Sequence, residues 1–177
     1  AFTLDDAGTG HAYGHAKISR DKAESAMARL KMDRATWEDV TTLVERHDIP
    51  LPPDRRTMKR RMRQLGERRL RLLIQLQRAD ALGTGTRVPQ EVEQMTQERT
   101  QTLKTLLAED ACVSLRQLQV NGRDLLAAGI PAGKILGQTL ERLLEEVMEE
   151  TLPNQREPLL HRAVELVREG GTHGQME

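Results

Sequence analysis

Aromatic residues are nearly absent: one Trp, one Tyr and one Phe in 177 residues, or 2%. A chain this poor in rings has no row of them on which to stack bases, so an RNA partner would be met through backbone and shape. Cysteine occurs once, at Cys112, which excludes an internal disulfide and fits a reducing, cytoplasmic setting. No apolar run is long enough to cross a bilayer, and the start lacks a basic-then-apolar leader, so no membrane is expected as a partner. Net charge is zero, so no global field draws in a polyanion. β-Branched and aromatic residues are too scattered to read as a strand, and no fixed-period repeat is present. "GTGHAYG" lacks the spacing of a dinucleotide-binding loop, and "GTGT" has no Lys behind it to hold a phosphate. Both read as linker. No Ser-His-Asp or Cys-His set stands out.

What remains is charge, at 31% of residues, set on helical patterns. Ser19 is a candidate cap for a helix over 20–32, and Thr36 for one over 37–48. "IPLPPD" breaks the chain. Asp54 then opens a basic helix to Leu65, Gly66 stops it, and 67–82 is the next helix. Pro89 suits a helix start and leads into 90–111. Asn121 caps a short helix that ends at Gly129. A long helix from about Ala132 carries Leu136, Leu140, Leu143, Leu144 and Val147 at helical spacing. Asn154 is a candidate cap for the last helix. The class is all-α: a front helical part over 1–83, a linker and connecting helix over 84–109, and a helical tail over 110–177.

Three groups of residues could carry chemistry. Helix 37–48 puts Trp37, Val40, Val44 and His47 on one face, with Asp48 next. Asp80 tends toward the inner side of its helix, and His11 and His15 are four apart. Such groups could hold a divalent metal and activate water for phosphate-ester hydrolysis; equally, they could be core residues, with Asp80 paired to Arg78. The second group is the run from Asp54 to Arg71, with Arg55, Arg56, Lys59, Arg60, Arg61, Arg63, Arg68, Arg69 and Arg71 opposed locally only by Asp54 and Glu67. Long cationic side chains there reach phosphates well. The alternatives are a solvated face, or pairing with the acidic helix that holds Glu141, Glu145, Glu146, Glu149 and Glu150. The third group is "NGRDLLAAGIPAGK". Gly129 can end a helix in a left-handed conformation, Pro131 stiffens the turn, and Gly133 leaves the next helix start uncovered beside Lys134. Helix N-termini with free N–H groups suit a phosphate. The two helices and their turn resemble a helix-hairpin-helix unit; a turn that merely changes direction fits the same residues.

"GHAYGHAKIS", "LVERHDIPL", "RLLIQLQRADAL" and "VNGRDLLAAGIPAGKILG … LPNQRE" together resemble, in order and spacing, bacterial CCA-adding tRNA nucleotidyltransferases of the poly(A) polymerase superfamily. The likeness runs over nearly the whole chain. It implies that 1–83 is a partial HD-like helical domain, and that body and tail bind tRNA along its acceptor and TΨC side. In that family a separate head with a β-sheet and two acidic residues performs two-metal nucleotidyl transfer, with magnesium expected there, and a neck selects CTP and ATP. Nothing in these 177 residues resembles that head, so this segment alone is expected to add no nucleotides and to hold no cofactor. Of the HD-site positions, His15, His47 and Asp80 are the matches, with Asp48 beside them; the remaining HD ligands would lie upstream of Ala1. The resemblance points to Arg55, Arg56, Lys59, Arg60 and Arg63 as one RNA contact, and to Asn121, Arg123, Gly129, Gly133 and Lys134 as a second. The other readings are a metal-dependent HD phosphohydrolase and a helical module that forms a homodimer.

Overall fold

A computed structural model describes residues 15–85 and 87–173 and two short strands, with side chains described over 17–85 and 87–169. The strands, β1 (Phe2–Leu4) and β2 (Gly10–Ala12), pair antiparallel with Thr3 opposite His11. The sequence reads this segment as loop; three residue pairs close it into a hairpin. Everything else regular is helical, and the all-α class holds: α1 His15–Arg29, α2 Arg34–Arg46, α3 Arg55–Thr84, α4 Pro89–Ala108, a 3-10 turn at Leu115–Gln117, α5 Gly122–Ala127, α6 Lys134–Met148 and α7 Arg156–His173.

The chain divides into two compact units that are discontinuous in sequence, where the sequence reading drew contiguous segments. One holds residues 1–52 and 65–101, the other 53–64 and 102–177. In the first, α1 packs on α2. The cap of α2 is Asp33 and not Thr36: Asp33 accepts from the Thr36 amide at 3.0 Å and from the Thr36 hydroxyl at 2.6 Å. Helix α1 likewise begins at His15, upstream of Ser19. Trp37, Val40, Val44 and His47 are only half-buried, whereas Asp39 and Thr41 are buried. Asp39 is tolerated inside because it pairs with both Arg68 and Arg69, the latter at 2.7 Å. Leu51, Leu70, Leu73, Ile74 and Val92 form the apolar part of this unit's interior.

The second unit is built on α6. Its inner stripe, Leu143, Leu144, Val147 and Met148, is buried in one cluster with Leu125, Ile130, Leu159 and Ala163, as the helical spacing predicts. Arg162 on α7 forks onto Glu146 of α6 at 2.9 and 3.0 Å, a bidentate pair that fixes the two helices in register. Asn154 is not a helix cap. Its side chain accepts from the Gln119 amide at 3.0 Å and donates to the Gln117 carbonyl at 2.8 Å, pinning the segment after the 3-10 turn.

Helix α3 breaks where the sequence places a stop. Gly66 has φ 76° and ψ 163°, a backbone region open essentially only to glycine. A Cβ added there would meet nothing within 4 Å, so the cost of a side chain is purely one of backbone strain. Gly66→Ala is expected to lower unfolding stability by roughly 1–3 kcal/mol, read by urea denaturation followed by helical circular dichroism. A more stable, more helical variant would show that the chain runs through this position without a break.

Candidate nucleic-acid interface

The basic run opens α3. Asp54 caps it by accepting from the Thr57 amide at 2.8 Å, and Met58 and Met62 turn inward and are buried. That face fixes where the cations go. Arg55 donates to Glu109 at 2.7 Å and to Glu150 at 2.8 Å. Lys59, whose side chain is only 7% exposed, donates to the same Glu150 oxygen at 2.8 Å. Arg60 lies 3.6 Å from Glu149, and Arg63 pairs with Glu141. Four of the five expected contact residues in this run are therefore matched by glutamates, and the pairing alternative describes them. Of the five, Arg56 is exposed and has no glutamate partner among the described residues, its charge acting on the capping Asp54. Lys59 and Arg55 together hold the Glu150 carboxyl down to about 2, while its burial works weakly the other way.

The turn behaves differently. Asn121 caps α5 reciprocally: its side chain accepts from the Arg123 amide at 2.8 Å, and Asp124 accepts from the Asn121 amide at 2.9 Å. At the far end, Gly129 (φ 86°) donates to the Leu126 carbonyl and Ile130 to the Leu125 carbonyl, both at 3.0 Å, a Schellman closure that buries Ile130 beside Leu125. Pro131, Ala132, Gly133 and Lys134 then stand exposed. Gly133 has φ 110° and ψ −149°, and no side chain caps α6. A Cβ at Gly129 or Gly133 would meet nothing within 4 Å, so glycine is required by the backbone and the approach from solvent is open. The amides of the first turn of α6 have no intrahelical acceptor, and Lys134 adds its charge beside them.

Lys134 lines an open groove of about 660 Å³ with Arg63, Leu115, Gly137, Arg142 and Glu145. A second hollow shares Arg63, Leu115 and Glu141 with it and ends at Arg116. Arg116 is a contribution the sequence reading missed; Arg142 in the same groove is paired with Glu145 at 3.1 Å and Glu146 at 3.3 Å. Arg116 sits on the 3-10 turn, which Gln117 holds by accepting from the Val113 amide at 3.1 Å and the Ser114 hydroxyl at 2.9 Å; no local pattern announces such a turn. Arg123 is exposed on α5, its side chain making no ion pair among the described residues.

His47, Asp48 and Asp80 do come together, lining a cavity of about 450 Å³ in the first unit. The His15 side chain lies outside the described residues. His47 donates from Nδ1 to the Val44 carbonyl at 2.7 Å, and Gln77 donates to the His47 and Ile49 carbonyls at 2.8 Å each. Asp80 is exposed, and the expected Asp80–Arg78 pair is absent: Arg78 pairs with Glu93 at 2.9 Å. Among the described residues no group of three or more His, Cys, Asp or Glu is placed to hold a metal. Arg87 and Arg99 line the same cavity, so a divalent cation there would face two guanidinium groups. This donor set does not fit one.

The model of the family described as tRNA nucleotidyltransferase domain 2 matches residues 13–163. The chain belongs to this family. Among the curated proteins and the solved structures, none matches it. The matched span takes in both the paired basic run and the open turn of this tRNA nucleotidyltransferase domain, and no described helix is long and apolar enough to cross a membrane.

The glutamate pairing has a pH signature. A glutamate ionises near pH 4.3 when unfolded, and Glu150 does so at about 2 in the folded domain. Its ion pairs therefore contribute full stability above about pH 4.3, and lose it as pH falls through about 2. Glu150→Gln, which leaves Lys59 buried without its partner, should cost roughly 1–2 kcal/mol at pH 7, a figure kept low because the carboxylate is half-exposed. Urea midpoints measured across acid pH should show the gap between variant and parent closing in that window. A gap independent of pH would remove the ion pair as its cause.

Proposed function

We propose that this tRNA nucleotidyltransferase domain binds tRNA, and that the α5–α6 turn with Lys134 holds an RNA phosphate. The observation that carries the reading is the uncapped, exposed start of α6 at Gly133, with a cation at its first position. A phosphate there meets amide donors, the positive helix end and an ammonium group at once. Arg123 and Arg116 extend the cationic surface of the second unit, and Arg56 stands outside the glutamate pairing. Contacts of this kind grip sugar-phosphate backbone and do not read bases, in keeping with 2% aromatics.

In this reading Arg55, Lys59, Arg60 and Arg63 are structural: they hold 53–64 onto α6 and leave their charge to glutamates. Nucleotidyl transfer at the tRNA 3′ end, with its magnesium chemistry, belongs to a catalytic region with a sheet and paired carboxylates. This chain supplies the grip on the substrate, as a cytoplasmic protein.

Lys134→Glu should weaken tRNA binding roughly tenfold and lower the slope of log affinity against log salt by about one, measured by filter binding or fluorescence anisotropy over a salt series. Arg55→Ala should lower thermal stability while leaving the folded domain's affinity within about twofold, since its charge is already matched by Glu109 and Glu150. Unchanged affinity and slope in Lys134→Glu would remove the turn from RNA binding. A stable dimer whose size ignores tRNA would favour a protein-interaction role instead.

A further inference from the structure

The cavity that gathers His47, Asp48 and Asp80 contains a second, opposite set of groups. Arg87, from the segment before α4, and Arg99, on α4, both line it. Among the described residues neither forms an ion pair with a carboxylate, although Arg55, Arg60 and Arg63 of the basic run all do so. The Arg99 Nε is buried with no hydrogen-bond partner. Leaving a charged donor buried and unsatisfied is costly, and native structures rarely keep one without a reason. Burial and the neighbouring charge of Arg87 push the Arg99 guanidinium down. Two like charges thus face one cavity, one of them holding an idle donor.

The rest of the lining is compatible with a small anion. Thr84 and Thr96 contribute hydroxyls, donating at 2.9 Å to the Asp80 carbonyl and at 2.8 Å to the Val92 carbonyl, and Gln77 is committed to the His47 and Ile49 carbonyls. Arg78 is occupied by Glu93, which leaves Arg87 and Arg99 as the cations able to accept a guest. The cavity's 450 Å³ admits a phosphate group with or without an attached nucleoside.

We infer that this cavity is a phosphate-binding site, in which Arg99 and Arg87 clamp the anion between them at the place where the HD-like positions would hold a metal. A guanidinium fork matches phosphate geometry bidentately, and the guest supplies the acceptor that the Arg99 Nε lacks. Asp48 and Asp80 line the same cavity, so the clamp holds the anion against two carboxylates. This site is independent of the α5–α6 turn and is tested separately from it.

The test uses the full chain, titrated with inorganic phosphate at constant ionic strength set by chloride, and follows the Arg Nε–H signals by NMR. The Arg99 signal should shift saturably in the millimolar range or below, and phosphate should raise the melting temperature where chloride does not. Arg99→Met should abolish the phosphate-dependent rise in melting temperature while melting no lower than the parent without phosphate, because an unsatisfied charge has been removed. Arg87→Gln, at an exposed position, gives a second variant and should weaken phosphate binding roughly tenfold. A nucleoside 5′-monophosphate binding more tightly than orthophosphate assigns the guest to a nucleotide; equal binding assigns it to free phosphate. The site is refuted by a chloride-like response to phosphate, by an unaltered melting response to phosphate in both variants, or by stoichiometric Mn2+ binding at His47.

Discussion

Glu150 carries the organisation of the second unit. One of its carboxylate oxygens receives both Lys59, buried at the start of α3, and Arg55 beside it. Glu150 is itself in the left-handed region, φ 61°, at the closing turn of α6, where the Thr151 amide donates back to the Glu146 carbonyl at 3.0 Å. A glycine would adopt that conformation more easily, but only an acidic side chain there can meet the two cations. Burying Lys59 without it would leave an ammonium in a low-dielectric site. The pair therefore explains two features together: a non-glycine residue at a glycine-like position, and a lysine buried within a basic segment.

The division of labour within the domain follows from that pairing. Much of the charge on 53–64 is matched by glutamates, whereas Arg116 on the 3-10 turn, Arg123 on α5 and Lys134 on α6 are exposed with no ion pair among the described residues. These are held by short-range devices that leave the charged tips free: the reciprocal cap at Asn121, the Schellman closure at Gly129 and the Gln117 bridge. Rigid backbone with unpaired amides and mobile cations is the usual way to hold phosphates without reading sequence.

How much of this was legible depended on range. The helix class, the stop at Gly66, the Asn121 cap and the inner stripe of α6 are written in residues three to seven apart, and local reading recovered them. Caps failed where two candidates compete within one turn: Thr36 is a good capping residue, but Asp33 precedes it and takes Thr36 as its own donor. Asn154 failed for the opposite reason, since its partners at Gln117 and Gln119 are more than thirty residues away. The gathering of His47, Asp48 and Asp80 was foreseeable from helical faces. The approach of Arg87 and Arg99 to the same cavity was not, because a linker carries Arg87 and no periodicity places it.

The separation between Lys59 and Glu150, 91 residues along the chain, also bears on synthesis. The basic arm leaves the ribosome long before the acids that balance it have been translated, and domains fold as units once their parts are available. Until α6 emerges, the nascent polypeptide displays an uncompensated arginine-rich stretch in an RNA-crowded surrounding. Completion of α6 is thus the moment at which that stretch exchanges a nonspecific stickiness for glutamate partners.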